Sequence, residues 1–112
     1  MLEQLRQIQE LCLKHEDYGA AGLADRLIEL HAQDPEAFWE LLTSNSVWGG
    51  AGSLADQCLV NSRGSDSELQ QDRRIVWQAL AELAQEMQSA GRLNERTELW
   101  ASAFRAWLRD GL

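Results

Sequence analysis

The sequence predicts an all-α fold, a compact bundle of four main helices plus one short helix, as a single helical domain over residues 1–112. Apolar residues recur every three or four positions through most of the chain, the period of a helix with one buried face. Leu, Ala, Glu, Gln and Arg dominate and there is a single proline, a composition that favours helix. β-branched residues are too scarce to build a sheet. At 112 residues, 45% hydrophobic and 25% charged, the chain can bury a modest core without metal or disulfide staples.

The elements follow in order. Leu2, Leu5, Ile8 and Cys12 mark a first helix over about residues 2–15. Asp17 can cap a second helix running to about Ala32, with Ala20, Leu23, Ala24, Leu27, Leu30 and His31 inward. Tyr18, Gly22, Asp25 and Glu29 then line its outer side, at 100° per residue. Asp34-Pro35-Glu36 is a strong start for a third helix: an N-cap acceptor, proline at the first helical position, then an acid against the dipole. Phe38, Leu41 and Leu42 face inward, and this helix should end near Ser44. Gly52 or Ser53 opens the short helix, through Val60. Residues 61–67 read as a loop, in which Ser65-x-x-Glu68 resembles a capping box for the longest helix, about 66–90. Its stripe is Leu69, Val76, Leu80, Leu83, Ala84 and Met87, closed by Gly91 as C-cap. Asn94 can cap a last helix with Leu99, Trp100, Ala103, Phe104 and Trp107 inward.

The segment Trp48-Gly49-Gly50-Ala51-Gly52-Ser53-Leu54-Ala55-Asp56 stands apart from this pattern. Glycine is kept where φ is positive or where backbones approach closely, so Gly50 and Gly52 are expected to resist β-branched substitution. The segment lacks the lysine of a Walker loop and no strand precedes it. Trp48, Gly49, Gly50, Gly52, Ser53 and Asp56 then form a tight helix-to-helix turn, a bare amide nest for a small anion or a partner-binding loop. Asp56 lies where an acid would be favoured by the dipole or would tie back to the loop amides.

Charge excludes some functions and suggests another. Eighteen acids against ten basic residues give a net charge of −8, which disfavours nucleic acid and anionic lipid and favours a basic protein partner. Seven acids lie between Glu16 and Glu40 against Arg26 alone. Tyr18, Asp25, Glu29, Glu36 and Glu40 are the candidate partner-binding residues, the acids steering and the tyrosine or a tryptophan anchoring. No elbow frames Ser53 and no carboxylate pair stands out, so no catalytic residue is expected and the chain does not read as an enzyme. Cys12 and His15 share spacing with metal ligands, but two ligands do not make a zinc site, so neither metal nor cofactor is expected. Cys12 and Cys58 are too far apart in sequence to suggest a disulfide framework and read as reduced, buried small hydrophobes. With no signal peptide or long apolar run, the expectation is a soluble, cytoplasmic protein. Ile75 projects away from the long helix's stripe, so a homodimer through that helix stands beside a monomer, and a self-associating structural subunit beside the other readings.

On the segment Trp48–Asp56 the chain resembles a group of small uncharacterised bacterial all-helical proteins with a WGGxGSxxD-type motif, some of them similar to immunity or antitoxin partners of secreted toxins. The match covers about a tenth of the chain. It implies a bacterial protein–protein role, with no catalytic residues to carry over.

Overall fold

Local signals decide where the helices begin and end. In the computed structural model, which describes residues 1–59 and 67–111, helices are the only regular elements. They are α1 (Leu2–Lys14), α2 (Tyr18–Gln33), α3 (Pro35–Leu42), α4 (Asn45–Trp48), α5 (Leu54–Gln57), α6 (Ser67–Ala90) and α7 (Thr97–Arg109). Five of these run for eight residues or more, against the four main helices expected. The Cα radius of gyration is 13.1 Å, matching the ~13 Å of a compact domain of this length.

Asp17 and Asp34 act as the caps their positions imply, accepting the Ala20 and Ala37 N–H groups. Between α1 and α2 the chain turns at Glu16, a non-glycine residue at φ 59°. There the Asp17 N–H reaches back to the Cys12 carbonyl at 2.8 Å, the bond that closes a Schellman-type turn. Gly91 (φ 73°) ends α6 in the same way, with the Arg92 N–H on the Met87 carbonyl. The Ser65 capping box lies outside the described residues.

α1 packs against both α2 and α6, α7 packs on α6, and α3 folds back on α2. Leu5, Ile8 and Cys12 of α1 meet Ala24 and Leu27 of α2 and Val76, Leu80, Leu83 and Met87 of α6 in one core. Side chains of this size stabilise the fold by roughly 1.5–3 kcal/mol each when fully buried. The outer face of α2 is as expected, with Tyr18, Gly22, Asp25 and Glu29 exposed.

Four expectations need correction. Leu99 is 65% exposed, because the buried stripe of α7 runs through Thr97, Ala101 and Phe104, placing Leu99 about 140° from Phe104 around the helix. His31 is exposed, its ring edge-on to Phe38. The third helix ends at Leu42, and Ser44 instead caps the unexpected turn α4, accepting the Ser46 N–H. The short helix stops at Gln57, short of Val60, because Leu59 adopts φ 62°, where a right-handed helix cannot continue.

Candidate functional site

Two acids and an indole meet where α3 faces the α6–α7 corner. The i, i+4 spacing of Glu36 and Glu40 stacks them on one exposed face of α3. Half-buried Trp39 lies beside them, edge-on to Phe38 at 5.7 Å. Across from α3, Gly91 turns the chain so that Arg92 and Leu93 come back toward it. Glu36, Trp39, Glu40, Thr43, Gly91, Arg92 and Leu93 line a groove of about 470 Å³. The Arg92 guanidinium lies 5.1 Å from the centre of the Trp39 ring, within cation–π range.

Asn94 holds the two walls together. Its Nδ2 donates to the Thr43 carbonyl and to Asn45 Oδ1, both at 2.9 Å. Its Oδ1 accepts the Arg96 N–H, and its own N–H donates to Thr97 Oγ1 at 3.0 Å. The expected helix cap is thus a brace: α7 begins at Thr97, and Asn94 organises the turn before it while tying it to the α3–α4 corner.

The structure brings Glu36 and Glu40 together and leaves the other candidate partner-binding residues along α2. Tyr18, 64% exposed, starts α2, and the helix carries the chain about 24 Å before α3 begins. Asp25 accepts from Gln9 of α1 at 2.9 Å, and Glu29 pairs with Arg26 at 3.2 Å. The sequence reading missed Arg92 and Leu93 and assigned Asn94 only the role of a helix cap. A glycine stop followed at once by Arg-Leu-Asn was the available signal for a corner that returns side chains to a neighbouring helix.

In the glycine segment, loop geometry is closed on itself. Asp56 Oδ2 accepts the Gly52 N–H at 3.1 Å and the Gln57 side-chain amide at 2.9 Å, while Ser53 Oγ accepts the Asp56 N–H. Gly52 has φ 88°. Gly50 has open space where a Cβ would stand, and its φ is not positive. The expected need for glycine therefore holds at Gly52 and fails at Gly50. It falls instead on Gly49, where a Cβ would stand 2.5 Å from the Asn45 carbonyl oxygen. Trp48 is fully buried; its carbonyl accepts the Trp100 indole N–H at 3.1 Å. Its own Nε1 has no partner among the described residues.

A second cavity, of about 330 Å³, opens beside this segment. Ala55, Asp56, Cys58 and Arg73 line it with the indoles of Trp77, Trp100 and Trp107. Arg73 Nη2 donates to the Leu59 carbonyl, whereas its buried Nε has no partner among the described residues.

Where α1 ends, three elements converge. Asp17 Oδ2 accepts the Leu59 N–H at 2.8 Å. Cys12 and Cys58, distant in sequence, have their sulfurs 3.2 Å apart. Cys12, Asp17 and Cys58 form a potential metal-ligand group, with their ligand atoms within 4.8 Å of one another. His15 does not join them, because its Nε2 lies 2.7 Å from Asp72 Oδ2, where Lys14 Nζ also donates at 2.8 Å. The hydrogen bond from Lys14, aided by that with His15, holds the Asp72 carboxyl below its usual range against the opposing effect of burial. The Cys58 thiol is pushed well up by its bond to Cys12, by burial and by the Asp17 charge.

Comparison with protein-family models, with curated proteins and with solved structures finds no match to this chain.

Proposed function

We propose that the chain is an acidic protein-interaction module of the immunity or antitoxin kind, which binds and occludes a basic partner without performing catalysis. The observation that carries this reading is the convergence of Glu36 and Glu40 on one groove with Trp39. Two exposed carboxylates and an aromatic face suit a Lys or Arg side chain. Arg92 covers the indole in the free protein, so an incoming cation meets the carboxylates first and then competes with Arg92 for the ring. The net charge of −8 would steer such a partner from a distance, and Asp25 and Glu29 would continue the acidic surface along α2, with exposed Tyr18 at its far end.

The test compares immobilised wild type with Glu36→Lys/Glu40→Lys. Under this reading, wild type retains a basic protein from the host extract that salt releases, and the double variant loses it. Equal retention by both would overturn the groove as the docking point.

A second reading, a small-anion-binding domain, draws on one observation: Arg73 Nε, buried and without a partner among the described residues, beside the indole-walled cavity. Titration of an aromatic carboxylate such as benzoate, followed by tryptophan fluorescence, tests it. No change at millimolar ligand would remove it.

A further inference from the structure

Cys12 and Cys58 are set apart by 46 positions yet meet inside the core, 0% and 3% exposed, with sulfurs 3.2 Å apart. We propose that these two residues form a reversible intramolecular disulfide when the chain meets a two-electron oxidant of the peroxide class. A disulfide needs its sulfurs at about 2.05 Å, so the pair has roughly 1 Å left to close. Both residues sit next to helix ends. Cys12 is in the last turn of α1, and Cys58 follows α5 in extended conformation (ψ 115°). Small adjustments there need not disturb a helix interior.

The chemistry balances without any further group. One thiol, as thiolate, attacks a peroxide oxygen and becomes a sulfenic acid, the O–O bond breaking and the other oxygen leaving as water. The second thiol attacks that sulfur, forming the S–S bond and releasing a second water. Two thiols and one hydrogen peroxide thus give one disulfide and two waters.

The same cluster offers a metal ion less. Both Asp17 oxygens already accept backbone N–H groups, from Ala20 and from Leu59. A metal would also require two thiolates, and the bond to Cys12, burial and, least, the Asp17 charge all oppose ionisation at Cys58. A disulfide is neutral and apolar and suits the site as it stands. The raised thiol also makes oxidation slow at neutral pH.

The closed bond would join the end of α1 to the segment following α5 and remove chain entropy from the unfolded state. The test uses the full chain, reduced, desalted and treated with hydrogen peroxide, then unfolded in guanidinium with N-ethylmaleimide. The expected result is no alkylation, a mass lower by two hydrogens and a Cys12–Cys58 cross-linked peptide. The melting temperature should rise by about 10 °C or more and fall back on reduction. Cys58→Ser should show no such rise. Two maleimide adducts after peroxide, oxygen addition in place of hydrogen loss, or cross-links only between molecules would each overturn the proposal. So would zinc retained by the reduced chain through desalting that shields both thiols from alkylation.

Discussion

A methyl group at position 49 would stand 2.5 Å from the Asn45 carbonyl oxygen, a backbone atom that cannot swing aside. Gly49→Ala is therefore expected to destabilise by about 1–3 kcal/mol, as overpacking does. Gly52→Ala should cost about 1–2 kcal/mol for its positive φ, and Gly50→Ala should be neutral or slightly stabilising. Chemical denaturation of the three variants checks this ranking. A Gly50 variant as damaged as the other two would show that the glycine segment is packed differently. Glu16 supplies the opposite case. A carboxylate side chain occupies a left-handed position at φ 59°, so Glu16→Gly should stabilise by about 0.5–1 kcal/mol. The relieved strain exceeds the extra entropy of an unfolded glycine. A lower denaturation midpoint for Glu16→Gly would mean that the side chain itself holds the turn.

Between elements, the α1–α6 contact is secured at one end by Asp72, which takes hydrogen bonds from Lys14 and His15. The folded-state pKa of Asp72 is depressed. Its contribution is thus complete above the ordinary carboxylate value near ~4 and is lost as pH falls through the lower folded value. Asp72→Asn should cost about 1–2 kcal/mol at pH 7, discounted because Lys14 is partly solvated. The gap from wild type should close under acid, which melts of both proteins from neutral pH down to about pH 2 would show. A gap that persists there would assign the loss to packing. The α3–α4 and α6–α7 corners depend on Asn94 in a comparable way. Asn94→Ala removes bonds to Thr43 and Asn45, and about 2 kcal/mol should go with them. Amide exchange at residues 91–97 should rise selectively; a uniform rise across all helices would deny Asn94 its role as a brace.

At the scale of the whole molecule, the proposed function would have the −8 charge and the groove act separately on association. Among the described residues the α2 acids Asp25 and Glu29 are engaged only with Gln9 and Arg26 at the surface, and exposed pairs of this kind contribute little to folding. Asp25→Lys/Glu29→Lys should keep the melting temperature, slow association with a basic partner and flatten its salt dependence. Glu36→Lys/Glu40→Lys should in addition speed dissociation, because a cation seated in the groove would lose its direct partners. Binding kinetics at two ionic strengths distinguish the pair. Unchanged dissociation in the second variant would reduce the groove to part of the general acidic surface.

Helical period, the aspartate caps at positions 17 and 34 and the glycine stop at 91 are local physics, each decided within a turn of chain, and the sequence by itself determined them. The exposed line of Tyr18, Asp25 and Glu29 was legible for the same reason, since 100° per residue assigns faces without knowledge of neighbours. Other features depended on which surfaces meet. The rotation of α7 that exposes Leu99 follows from how Phe104 and Ala101 seat on α6, and apolar spacing alone allows more than one such rotation. Leu59 holds its left-handed conformation between Asp17, the cap of α2, and Arg73 of α6. The groove joins Glu36 and Glu40 to Arg92 and Leu93, and the sulfur pair joins Cys12 to Cys58, across about 50 residues of chain. Only the tertiary structure decided these contacts, because long-range approach is set by the packing of whole helices and leaves no periodic trace in the residues that it brings together.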